Sequence, residues 1–163
     1  MIEVKFGPDR IMVASSTEPA WSALEAVLDR HKYTIRPADT DTYNCRNLRG
    51  SERKSAHSSG IALDLNWQTN PYQTHNGTRK ARYSSKASQE ERAADVRADL
   101  ADTDMTEEMI ADILAISTSS GARVFGWGGD RQTNKEAMHF EIIATPEDLA
   151  TGIDPATVNA VAE

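Results

Sequence analysis

Two segments of this 163-residue chain carry side chains that could do metal chemistry. In the first, Ser55-Ala56-His57-Ser58-Ser59-Gly60-Ile61-Ala62-Leu63-Asp64, an imidazole and a carboxylate stand seven positions apart. In the second, Glu136-Ala137-Met138-His139-Phe140-Glu141, another imidazole follows an acid by three positions. His57, Asp64 and His139 offer three N and O donors, a set that suits zinc with its fourth position open to water. Glu136 is then a spare carboxylate to take that water's proton. A carboxylate among small residues is costly to bury unless something pairs with it, and a metal ion would pair with Asp64. A zinc site that only staples a fold normally has four ligands and favours thiolates. This chain has one cysteine, Cys45, which also excludes an internal disulfide.

The elements that must position these groups follow from alternation. Ile61, Leu63 and Leu65 point one way and Ala62 and Asp64 the other, so a short strand begins where Gly60 lets the chain bend. Met138, Phe140 and Ile142 alternate with His139, Glu141 and Ile143, which turns His139 to the site and Met138 and Phe140 to the core. Glu136 falls off that period and is expected in the turn before the strand, reaching the site from the side. Glu141 shares the His139 face, to orient a ligand or to be solvated. Arg123 to Trp127 reads as a third strand, closed by Gly128-Gly129-Asp130, with Asp130 a rival acid for the base. The expected sheet pairs 138–143 with both 123–127 and 61–65. Trp127 would wall the site or fill the core.

At these positions the chain resembles the zinc D-alanyl-D-alanine carboxypeptidases and L-alanyl-D-glutamate endopeptidases of peptidoglycan, phage endolysins among them. The family pattern is Ser-x-His-x-x-Gly-x-Ala-x-Asp, then an acid-x-x-His followed by Phe and Glu or Gln. Ser55, His57, Gly60, Ala62 and Asp64 match the first part, and Glu136, His139, Phe140 and Glu141 the second. Trp127-Gly128-Gly129 is similar to the segment that often precedes it. Many endolysins of the group carry Asp where Glu136 stands; other members carry Glu. The resemblance implies that His57, Asp64 and His139 bind Zn2+ and that Glu136 is the general base. It also implies an arginine upstream that holds the substrate or steadies developing charge; Arg46 matches better than Arg49. Ser55, Tyr72 and Trp127 are expected beside the substrate. The implied activity is that of a peptidoglycan hydrolase, with an endolysin-type L-alanyl-D-glutamate endopeptidase ahead of a D-alanyl-D-alanine carboxypeptidase. A non-catalytic, zinc-stapled wall-binding module is a further alternative.

The remaining sequence bounds this reading. Composition is that of one globular domain over 1–163, with about 150–163 as a tail or linker stub. The net charge of −7 argues against a nucleic-acid partner and against simple adhesion to an anionic wall, so a separate wall-binding module or short-range contacts are expected to help. The N-terminus shows no basic region followed by an apolar run, and no apolar stretch approaches a span of about 20 residues. The expectation is a product made in the cytoplasm, not inserted in a membrane, that reaches the wall through a partner that permeabilises the membrane.

The fold class expected is α+β: a small antiparallel sheet carrying the zinc site on one face, with helices packed on the other. Ile2–Phe6 and Arg10–Ala14 read as strands around a Gly7-Pro8-Asp9 turn. Ser16 or Thr17 caps a helix with Trp21, Leu24, Val27 and Leu28 inside, and His31 ends it on the surface. Tyr33 to Arg36 reads as a strand closed by Pro37. Tyr72 and His75 begin a polar loop. Ser88 to Glu91 is a capping box opening a helix whose stripe includes Ala93, Val96, Ala98 and Leu100. Asp102-Thr103-Asp104 reads as a solvated turn. Thr106 caps a helix that Gly121 ends, and Thr145 caps a short one.

Overall fold

The computed structural model describes residues 1–42, 55–74, 80–131 and 134–159. Strands β1 (Ile2–Phe6) and β2 (Asp9–Val13) form an antiparallel hairpin that buries Val4, Phe6, Ile11 and Val13. Helix α1 (Glu18–Arg30) has Pro19 in its first turn and buries Trp21, Leu24, Val27 and Leu28 on one stripe. Thr17 stands at its N-cap, but the hydroxyl does not cap a backbone N–H. It accepts from the Trp21 indole at 3.0 Å and donates to the Ala14 carbonyl.

The sheet that matters for function has three antiparallel strands: β3 (Ala62–Asp64), β5 (Phe125–Trp127) and, between them, β7 (His139–Ile142). Its register sets Leu63 beside Phe140 and Phe140 beside Trp127, and it pairs Phe125 with Ile142. These side chains make the apolar face. Trp21 of α1 packs on Phe125 with ring centroids 5.3 Å apart, and helix α3 (Glu107–Ala115) packs against β5. The opposite face carries Asp64 beside His139, and Ala62 and Gly126 flanking Glu141. Period-two alternation thus divides helix-covered core from polar site, the α+β arrangement expected.

Glu136 is not in a turn. It ends β6 (Asn134–Glu136), which pairs with β4 (Tyr72–Thr74) in a separate two-stranded ribbon with Tyr72 directly opposite Glu136. Ala137 and Met138 carry the chain from that ribbon into β7.

Several other expectations are corrected. Residues 33–36 form no strand, because side-chain amides take their backbone groups. Thr34 N–H donates to Gln89 Oε1 at 2.7 Å, Arg36 N–H donates to Asn66 Oδ1 at 2.8 Å, and the Thr34 carbonyl accepts from Asn66 Nδ2. Asp102-Thr103-Asp104 is buried rather than solvated. Asp104 accepts from Tyr33 Oη and Thr69 Oγ1, Thr103 donates to Asn70 Oδ1, and Arg82 binds Asp102. Helix α2 (Gln89–Arg97) is capped by Ser88 but stops before Leu100, which is 65% exposed; its buried Arg92 donates instead to the Asp104 carbonyl. Helix α3 is capped by Thr106 and ends at Ala115, so Gly121 does not end it. Gly121 serves the following tight turn, with φ +89°. His31 pairs with Asp112 of α3 at 2.7 Å. Short helices α4 (Pro146–Leu149) and α5 (Pro155–Val158) follow. Helix α5 docks on α1 and α3, and Arg30 donates to the Val158 carbonyl. Among the described residues no helix is long and apolar enough to cross a membrane.

Candidate active site

His57 lies in a one-turn 3-10 helix (Ala56–Ser59) that ends at Gly60 in the left-handed region, φ +70°. A side chain at Gly60 would also run into Ala14. Ser55 Oγ caps this turn by accepting from the His57 N–H at 3.1 Å. Ser55 is itself buried.

His57 is 3% exposed. Its Nδ1 lies 2.6 Å from the Thr42 carbonyl oxygen. That oxygen can only accept, so Nδ1 carries the proton and Nε2 presents its lone pair. Among the described residues Nε2 is buried without a hydrogen-bond partner; it faces Asp64 Oδ1 at 3.2 Å, outside hydrogen-bond geometry. His139 Nδ1 reaches the same Asp64 oxygen at 3.3 Å, and the two imidazoles meet edge to face at 5.2 Å. One ligand atom from each of His57, Asp64 and His139 lies within 4.8 Å of the others. A buried lone pair, a carboxylate and a second imidazole form a donor set that fits a divalent ion of the zinc type. The Thr42 carbonyl would orient one ligand from behind.

Without a metal ion, these groups shift one another's protonation. Burial alone would raise the Asp64 pKa, but the nearby His139 and His57 imidazoles outweigh it and hold the carboxyl below the usual range. Burial works against charge on His139, yet Asp64 and Glu141 raise its pKa to about 9. Glu141 Oε1 stands 3.5 Å from His139 Nε2, and this contact, more than the opposing burial, lowers the Glu141 pKa.

Glu136 is brought alongside by glycine. A Cβ on Gly128 would overlap the Glu136 carbonyl and stand 3.0 Å from Glu136 Cβ and 3.1 Å from His139 Cβ. Only a bare backbone allows these two residues to lie so close. Trp127 is buried, stacks on Phe140 and Tyr83, and donates from Nε1 to the Ala137 carbonyl at 2.7 Å. It pins the turn between Glu136 and His139 from the core side. Asp130 is exposed in the 3-10 turn after β5. Tyr72 is half-buried and, by register, on the Glu136 face of its ribbon.

Behind Asp64, the Asp41 and Asp64 backbones exchange two hydrogen bonds of 2.9 and 2.7 Å. Segment 39–42 therefore holds both ligands of the first segment, Asp64 through Asp41 and His57 through Thr42. Neither contact has a sequence signature, because both use backbone groups. Arg131 was also missed: it donates from Nη1 to Glu136 Oε2 and sits 3.4 Å from Glu141 Oε1. Its place directly after Gly128-Gly129-Asp130 was the available signal. Tyr43, Cys45, Arg46, Arg49 and His75 lie outside the described residues.

A family model described as D-alanyl-D-alanine carboxypeptidase matches residues 49–142, more than half of the chain and the whole span from His57 to His139. No curated protein and no solved structure matches it.

Proposed function

We propose that this chain, which belongs to the D-alanyl-D-alanine carboxypeptidase family of zinc peptidases, cuts a peptide bond in the stem peptide of peptidoglycan, with the L-alanyl-D-glutamate bond as its target. The supporting observation is the meeting of His57, Asp64 and His139 around a buried imidazole nitrogen that has no hydrogen bond among the described residues. Zinc held there would supply Lewis acidity and a water acidified toward neutral pH.

The chain's own residues do the rest. Thr42 and Ser55 fix the His57 ring and its tautomer. Glu136 takes a proton from the attacking water and delivers it to the leaving amine. Arg46, by its place in the family pattern, donates hydrogen bonds to the developing oxyanion. Gly128 keeps Glu136 and His139 at their close separation.

The family's own description favours a second reading, a D-alanyl-D-alanine carboxypeptidase with the same site. Digestion of purified peptidoglycan by the zinc-loaded protein, read by mass spectrometry, separates the two. A new amino terminus on glutamate is expected. Release of free alanine from the stem's end would favour the second reading, and no cleavage of either bond would refute both. In a lytic setting the chain would act on the wall after another protein has opened the membrane, helped by a separate wall-binding module.

A further inference from the structure

Arg131 stands at the edge of the site with 42% of its side chain exposed. Its guanidinium touches Glu136 through Nη1 and Glu141 through Nη2. Its backbone is held on both sides: the Arg131 N–H donates to the Gly128 carbonyl, and its own carbonyl accepts from the buried Lys135 ammonium at 2.7 Å. The Lys135 ammonium also donates to the Gly129 carbonyl at 3.2 Å, so the turn that presents Arg131 is fastened from inside.

The rest follows from the function proposed above, on which this inference depends. Glu136 returns its proton to the leaving nitrogen, so a group that touches Glu136 lies on the leaving side of the scissile bond. In both candidate bonds the leaving residue carries a free carboxylate on the carbon attached to that nitrogen. In a terminal D-alanine it is the C-terminus; in D-glutamate it is the α-carboxylate, free because the stem continues through the side chain. That carboxylate is two bonds from the atom that Glu136 protonates.

Zinc held by Asp64 would offset that carboxylate, but Glu136 and Glu141 also stand at the site, and they repel an anionic substrate unless a cation offsets them. Among the described residues, Arg131 is the cation that touches Glu136 and Glu141. A planar guanidinium matches carboxylate geometry two bonds at a time, which an ammonium cannot do. We propose that Arg131 is a specificity-determining residue that binds the free α-carboxylate of the leaving residue, by exchanging a contact with Glu136 or Glu141 for one with substrate.

The test uses the full zinc-loaded chain and two pairs of synthetic peptides. One pair holds an alanyl-glutamate bond with the glutamate α-group as carboxylate or carboxamide. The other ends in D-alanyl-D-alanine with a free or amidated terminus. The wild type should prefer the carboxylate member of the pair it cleaves by about 10- to 100-fold in kcat/KM. Arg131→Gln should lose at least about tenfold more on the carboxylate than on the carboxamide, chiefly through KM, and Arg131→Lys should recover part of the loss. Calorimetric binding of the uncleaved peptides to a zinc-loaded Glu136→Ala chain should show the same preference, abolished by adding Arg131→Gln. These comparisons use variants whose zinc content and melting midpoint match the wild type. Equal losses on both members, or a wild type blind to the carboxylate, would overturn the role of Arg131. Failure of the zinc-loaded wild type to cleave either pair would instead overturn the function beneath it. Which pair is cleaved tells the two sources of the carboxylate apart.

Discussion

Gly128→Ala is a one-carbon test of how the base and a metal ligand are held. The added Cβ would overlap the Glu136 carbonyl and stand 3.0 Å from Glu136 Cβ and 3.1 Å from His139 Cβ. Non-bonded carbons settle at about 3.5–4.0 Å, so both residues must retreat by roughly 0.5–1 Å. They have little room, since the Ala137 carbonyl between them is held by the buried Trp127 indole. Overpacking of this kind costs about 1–3 kcal/mol, which lowers the melting midpoint of a chain this size by roughly 2–10 °C. A displacement of up to about 1 Å at the site can cost on the order of 100-fold in rate. The assay is kcat/KM on a soluble stem peptide beside a thermal melt. Gly121→Ala is the control: it strains a φ of +89° but meets nothing within 4 Å, so it should lose stability and keep activity. Wild-type kcat/KM in Gly128→Ala would refute the reasoning.

Three further outcomes are expected. Glu136→Ala should lower kcat/KM by about 10²–10⁴-fold with the zinc content unchanged, since the residue moves protons and does not hold the ion; loss of the zinc would contradict that division of labour. His139, raised to about 9 in protein stripped by a chelator, must shed a proton to take a metal, so zinc affinity should rise about tenfold per pH unit from neutrality and level off near 9. The same shift stabilises the stripped protein fully below the ordinary histidine range and is lost as pH rises through about 9. Chelator competition and pH-dependent melts read both, and a flat profile would count against the Asp64–His139–Glu141 geometry. Tyr33→Phe removes the hydroxyl that donates to Asp104 and accepts from Asn66 and Asn70, leaving buried groups unpaired. It should cost about 1–3 kcal/mol in denaturant unfolding, and a loss within error of zero would show that the network relaxes freely.

What could be read from sequence was what repeats or pairs by spacing. The Ile61–Leu65 and Met138–Ile143 alternations separate an apolar from a polar face, and that separation alone lays Asp64 beside His139 once the two segments pair. Thr106 and Ser88 announce their helices because a cap is a local event. The segment 33–36 misled because its β-forming residues are bonded by Asn66 and Gln89, distant in sequence. Asp102 and Asp104 look solvated until Tyr33, Thr69 and Arg82 arrive to satisfy them. Thr42 and Asp41 act through backbone groups, which no residue type advertises. Glu136 has the right offset from His139, but its strand belongs with Tyr72, a pairing set by a chain crossing between sheets rather than by any local pattern.

The most direct test of the central claim is a crystal of the zinc-loaded protein, with diffraction recorded on both sides of the zinc absorption edge. One strong anomalous peak is expected, at about 2.0–2.2 Å from a nitrogen of His57, an oxygen of Asp64 and a nitrogen of His139, with Glu136 alongside and unbound. A peak elsewhere in an active crystal, or full peptidase activity in protein that holds no metal, would contradict it.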